Sequence, residues 1–244
     1  MFMTALRSFF GESGGRMDFF TTISEQFYSC FIKEDRYKLL LGGIGVTLKV
    51  SLVAIVLGII IGFFIAICNL SKKKVLRGLG LVYTDIIRGT PSVTQLMLIY
   101  FVVFATVLWD KWIICAIAFG INSGGYVAEV IRAGILSIDK GQTEAGRSLG
   151  LNGRQTMIHI ILPQAIKNIF PALVNEFIVL IKETAIVGYV GLVDIQKAGD
   201  LIKSTTFKAF MPLFATAFIY YVIIKILNIG LKRIEKKLRQ SEVR

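Results

Sequence analysis

The sequence predicts an all-α membrane protein, and three observations carry that expectation. Apolar residues fill 55% of its 244 positions, and mean hydropathy is +0.68, beyond what soluble domains of this length usually reach. The apolar residues fall into runs of about 20, the length a helix needs to cross some 30 Å of hydrocarbon. Lys and Arg gather between the runs rather than along one exposed face, as they do when a bilayer orients the chain. The net charge of +12 therefore reads as topology, and nucleic acid is not an expected partner. Cys30, Cys68 and Cys115 are isolated, so neither a disulfide framework nor a zinc site is indicated.

Residues 1–41 read as an N-terminal extension. Its first 16 residues lack the apolar core and small-residue cleavage site of a signal peptide, and Met17 would serve equally well as a start. Residues 19–41 mix aromatics with Glu25, Lys33, Glu34, Asp35, Arg36 and Lys38, a composition that predicts an interfacial amphipathic segment.

Residues 42–232 form the transmembrane region, with about five helices expected. The first span, 44–68, carries Gly58 and Gly62, a small-xxx-small face for close helix packing. The second, 93–108, follows "RGTP" (88–91), where Pro91 disfavours helical geometry at Thr90 and Gly89 frees the backbone, so a break is expected at its start. The third, 112–131, is expected to be interrupted at "INSGGY" (121–126). Spans four and five are expected at 165–187 and 210–231. The basic loops "SKKKVLRG" (71–78) and 132–154, together with the basic tail 233–244, belong on the cytoplasmic side. The sparsely charged "WDKW" (109–112) and the mixed stretch 193–205 belong outside, which puts the N-terminus out and the C-terminus in.

Between spans three and four lies "TEAGRSLGLNGRQTMIHIILPQA" (143–165). Residues 139–149 predict a short helix capped by Asp139 or Thr143, with Glu144 near its positive end. Gly150 and Gly153 allow a sharp turn, residues 154–161 resume as helix, and Pro163 is expected to mark a bend. Ala145, Gly146 and Gly150 are small enough for another protein to approach closely. An ordinary inter-span hairpin is the plainer alternative.

The spacing Glu144-Ala145-Gly146, then Gly150, then Ile160-Ile161-Leu162-Pro163 resembles the cytoplasmic signature of permease subunits of ABC importers. Gly146, where the signature has a second Ala, is the single departure and keeps the residue small. "GVTLKVSLVAIVLGIIIG", "YTDIIRGTPSVTQL", "SGGYVAEVIRAGI" and "NEFIVLIKETAIVG" look like the polar amino-acid permeases, which import His, Arg, Gln, Glu or similar substrates. The resemblance spans about residues 42–232. It implies a type I importer fold in the inner membrane of a prokaryote, with a second permease chain (identical or different), two ATPase subunits and an extracellular substrate-binding protein. It also implies that segment 139–163 is a coupling helix that docks on the ATPase, through Glu144, Ala145, Gly146, Gly150, Leu162 and Pro163. No G-x-x-x-x-G-K-[ST] loop occurs, so no cofactor is expected in this chain, and ATP and Mg belong to the partner.

Ionisable groups at membrane depth are functional candidates by default. Glu176, beside Asn175, lies near the middle of span four and needs water, an Arg or Lys of another span, or a cationic ligand such as an amino-acid ammonium. Arg88, Thr90 and the amides after Pro91 can meet a substrate carboxylate, with Gln95 about one turn further in; snorkelling of Arg88 to lipid phosphates is the alternative. Ser123 and Tyr126 are expected at a cavity, and Glu129 is spaced to pair with Arg132 on one helix face. His159 lacks a nucleophile or metal-ligand partner and reads as structural. No catalytic constellation is visible, so an enzyme is not expected. A channel or secondary transporter working without an ATPase, and an importer of an amino-acid derivative, remain the rival readings.

Overall fold

A computed structural model describes residues 16–240. Expectations for residues 1–15 and for the last four residues of the basic tail lie outside the described residues. No strand occurs among the described residues.

Helix α1 (Arg16–Phe27) passes through a π turn (Tyr28–Ile32) and a short 3₁₀ turn (Lys33–Asp35) into α2 (Tyr37–Leu70). Glu34 and Asp35 stand at φ 59° and 54°, the left-handed region that stops a helix. Helix α2 is 34 residues long, about 50 Å at 1.5 Å per residue, more than the hydrocarbon alone requires. The expected interfacial segment is therefore not one element: residues 37–41 belong to the first membrane helix. The segment also has a buried apolar face. Cys30, Phe31 and Leu40 pack with Ala198, Ile202 and Met211.

After a basic turn come α3 (Lys74–Gly89) and α4 (Ser92–Leu98), the latter running on as a π turn (Ile99–Val103). The two are bent by 106° at the intervening residues. Thr90 is extended (φ −123°, ψ 147°) because the ring of Pro91 excludes the helical conformation there.

Helix α5 (Lys111–Leu136) is the main partner of α2. A Cβ on Gly58 would lie 2.8 Å from Ser123 Oγ, one on Gly62 2.6 Å from Val127 Cγ1, and one on Gly120 2.7 Å from Leu57 Cβ. Numbers rise together along both helices, so the pair is parallel. The interruption expected at "INSGGY" is absent: α5 runs unbroken through residues 121–126. Gly124 and Gly125 abut Ile61 and Ile87, so these glycines admit neighbouring helices instead of ending their own.

Beyond α5 come α6 (Lys140–Ser148), the short α7 (Gly153–Thr156) with a π turn (Met157–Ile161), and α8 (Leu162–Glu183). Pro163 sits among the opening residues of α8, and the wide π turn before it leaves room for the ring. A 3₁₀ stretch (Thr184–Val190) leads to α9 (Ile195–Thr206) and the long α10 (Phe210–Gln240). By length and apolarity α2, α5 and α10 qualify as spans, with the bent α3–α4 pair as a fourth. Helix α8 occupies the range expected for span four but carries Lys167, Glu176, Lys182 and Glu183, and it packs on α5, α2 and α10.

The stretch 193–205, expected as a polar connection, is mostly helix. Asp194, fully buried, caps α9 by accepting from Lys197 N at 2.9 Å and Gln196 N at 3.2 Å, and Tyr220 Oη donates to it at 3.1 Å. A Cβ at Gly43 of α2 would lie 2.6 Å from the Asp194 carbonyl oxygen, and Lys111 Nζ donates to Val190 O at 3.3 Å. These contacts define one end of the bundle. At the other end Asn168 Nδ2 donates to Ser137 Oγ at 2.9 Å, and Gln164 Nε2 to Gln142 Oε1 at 3.2 Å. That end holds the segment 139–163.

Candidate functional site

The bend in the second span opens a cleft of about 710 Å³, lined by Leu81, Thr84, Asp85 and Arg88 of α3 and by Glu129 and Arg132 of α5. Glu129 accepts from Arg132 Nε at 2.8 Å and Nη2 at 2.6 Å, a bidentate pair whose side chains are about one-third exposed. The Arg88 guanidinium lies 5.8 Å from the centre of the Tyr126 ring, within cation–π range. Neither Arg88 nor Asp85 has a hydrogen bond or ion pair among the described residues. The cleft thus offers an available guanidinium fork, shaped for a carboxylate, and carboxylates within the same lining that suit an ammonium.

Of the residues singled out in the sequence, Arg88, Tyr126 and Glu129 meet around this cleft. Glu176 and Ser123 meet separately: Ser123 Oγ donates to Glu176 Oε1 at 3.0 Å, so the half-buried carboxylate rests on a hydroxyl. Asn175 is exposed and takes no part in that pair. Gln95 and Thr90 are joined at the bend itself. Gln95 Nε2 lies 2.6 Å from Thr90 Oγ1 and 2.8 Å from Ile87 O, and its Oε1 accepts from Asn122 Nδ2 at 2.9 Å. The Gln95 amide is committed to the fold at both ends. Asn122 is buried and was missed in the sequence, where it reads as part of a glycine-rich interruption. Arg132, noted there only as the partner of Glu129, lines the cleft directly, and so does Asp85.

The segment 139–163 forms the short helix its sequence predicts. Asp139 Oδ1 accepts from Gly141 N at 2.7 Å, so Asp139 is the cap. Glu144 and Ala145 are exposed, while Gly146 is buried, where a Cβ would lie 2.8 Å from both Ile160 Cδ1 and Thr156 Cγ2. That closeness accounts for Gly at the position where the related signature has Ala. Gly150 stands at φ 85°, a conformation an L side chain rarely adopts. Asn152 and Gln155 complete a reciprocal capping box, with distances of 3.0 and 2.9 Å. Leu162 is half-buried and Pro163 exposed at the start of α8. The result is a small helix with a polar, small-residue outer face, held on the end of the bundle.

A bundle of apolar helices with a broken span, a charged cleft at the break and a small helix braced on one end defines a membrane permease. Residues 54–240 match the family of inner membrane components of binding-protein-dependent transport systems, and the chain belongs to that family. It is 44% identical over 195 residues to a putative glutamine transport system permease of Rickettsia felis, covering 79% of this chain and 89% of the relative. It is 39% identical over 205 residues to the arginine transport system permease of Bacillus subtilis, covering 83% and 94%. Among solved structures, a chain of an amino acid ABC transporter matches with a TM-score of 0.79 at 40% identity, covering 85% of this chain and 98% of that one. A chain of an inward-facing methionine ABC transporter shares the fold, with a TM-score of 0.71 at 20% identity. The protein is a multi-pass inner-membrane permease subunit of an ABC transporter, a transport component rather than an enzyme.

Proposed function

We propose that this subunit imports polar amino acids, driven by ATP and Mg bound in separate ABC ATPase subunits. The charged cleft at the bend carries this reading, because it joins an available guanidinium to carboxylates within one lining. A zwitterion presents the complementary pair of charges. Arg88 takes the carboxylate, with Thr90 at the bend beside it, while Asp85 and Glu129 face the ammonium and Tyr126 backs the guanidinium. Glu176, held by Ser123, supplies a second carboxyl stop, and Gln95 frames the bend. The names of the similar glutamine and arginine permeases support the same class of substrate.

The helix α6 side of the bundle faces the cytoplasm in this reading, with the N-terminus outside, as the basic loops favour. Glu144, Ala145 and Gly150 then dock on the ATPase, the buried Gly146 holds their helix against Thr156 and Ile160, and Leu162 and Pro163 carry its movement into α8. A second permease chain completes the pathway, and an extracellular binding protein delivers substrate at the Val190–Asp194 end.

The test is uptake of labelled Gln, Glu, Arg and His into proteoliposomes that hold the assembled transporter. ATP-dependent uptake of at least one is expected. Arg88→Ala removes a charge-assisted hydrogen bond of about 1.5–3 kcal/mol, so half-saturation should rise about 10- to 150-fold. Uptake without an ATPase would favour a channel or secondary transporter. Uptake only of a derivative lacking the free carboxylate would reject the role given to Arg88.

A further inference from the structure

Pro91 leaves a gap in the hydrogen bonding of the second span. In an uninterrupted helix the Ile87 carbonyl would accept from the N–H four residues on, but a proline has none. The Gln95 side chain fills that gap. Its Nε2 donates to Ile87 O at 2.8 Å and to Thr90 Oγ1 at 2.6 Å, and lies 3.2 Å from Thr90 O. Thr90 Oγ1 passes the link on by donating to Ile86 O at 2.8 Å.

The other end of the same amide reaches a different helix, where Gln95 Oε1 accepts from Asn122 Nδ2. Both side chains are buried, so water does not replace the bond when it is lost. Among the described residues Asn122 Oδ1 has no hydrogen-bond partner, and the bond from Asn122 Nδ2 to Gln95 orients the side chain. Beside Asn122 is Ser123, which holds Glu176. One turn along α5 is Tyr126, under Arg88, which itself follows Ile87 directly in sequence.

We propose that Gln95 and Asn122 are positioning residues of the transport pathway, a strut that sets the bend of the second span and holds Arg88 and Glu176 in register. The transport half of the proposal rests on the amino-acid reading above; the geometric half does not.

Gln95→Met and Asn122→Leu keep volume while removing the hydrogen bonds. Spin labels on Val82→Cys and Val102→Cys, both exposed, report the bend in the full chain in lipid nanodiscs, with Cys30, Cys68 and Cys115 replaced. The parent should give one narrow distance distribution. Gln95→Met should broaden or displace it, and Asn122→Leu should do so less, because the bonds to Ile87 and Thr90 survive. An unchanged distribution in Gln95→Met overturns the strut. Should Gln95→Met fail to insert, an unchanged distribution in Asn122→Leu has the same force.

In the assembled transporter, Asn122→Leu should raise the half-saturating concentration about tenfold, the size of one lost buried hydrogen bond, with a smaller change in maximal rate. A fall in maximal rate alone, with half-saturation unchanged, overturns the positioning role. If the parent imports none of the amino acids, the reading of the substrate fails while the label distances still decide the strut.

Discussion

Gly62 offers a quantitative test of how α2 and α5 are held together. In Gly62→Ala the new Cβ would lie 2.6 Å from Val127 Cγ1, 2.7 Å from Val127 Cβ and 2.9 Å from Ala128 N. Ordinary contacts between carbons lie near 3.5–4.0 Å. Val127 is β-branched and cannot swing aside within a helix, and the backbone nitrogen of Ala128 cannot move alone, so the helices must separate by about 1 Å. Overpacking of this kind costs about 1–3 kcal/mol, while replacing Gly by Ala in a helix returns about 1 kcal/mol. The net destabilisation is about 0–2 kcal/mol, with the upper half expected because the clash includes backbone. For a chain of this length each kcal/mol shifts Tm by about 2–4 °C, so a fall of about 2–8 °C is expected. Gly45→Ala is the control, since nothing among the described residues lies within 4 Å of its added Cβ, and it should hold or raise Tm. The assay is thermal loss of helical circular dichroism from the purified chain in nanodiscs. Equal Tm values for the two variants would refute the claim that Gly62 is a packing glycine.

Asp194→Ala removes the cap of α9 and the acceptor of Tyr220 together, at about 1–3 kcal/mol; its Tm should fall further than that of Asp194→Asn, which keeps an acceptor oxygen. Gly150→Ala forces a side chain into φ 85° and should destabilise by about 1 kcal/mol, most visibly as faster amide hydrogen exchange in residues 140–156. Gly153→Ala, with only a distant contact to Arg147 at 3.9 Å, should leave that exchange unchanged.

What could be read from the sequence followed the physics that is local. Length and apolarity placed α2, α5 and α10; the Pro91 bend followed from one dihedral restriction; and Asp139 followed from cap chemistry. Misreadings arose where the bilayer reverses a rule learned in water. Gly124 and Gly125 look like helix breakers, yet with no water to compete for the backbone the helix persists and the missing side chains become contact surface. Residues 193–205 look like a loop because α9 is amphipathic and half its face is polar, while the buried cap Asp194 resembles any surface acid. The Gln95–Asn122 contact joins positions 27 apart in sequence, and no periodicity reports a pairing of that kind. The cleft was legible in part: Arg88, Tyr126 and Glu129 were each flagged, but only the crossing of α3 over α5 brings them together.

The most direct test of the account is whether the exposed face of α6 carries the connection to the motor. The assembled transporter, with its ATPase and binding protein, should be purified in lipid for the parent and for Glu144→Arg, which reverses one charge without touching the buried Gly146. The account predicts loss of the ATPase from the purified complex, or loss of amino-acid stimulation of ATP hydrolysis, while the permease itself keeps its Tm. Intact assembly with unchanged stimulated hydrolysis in Glu144→Arg would contradict it.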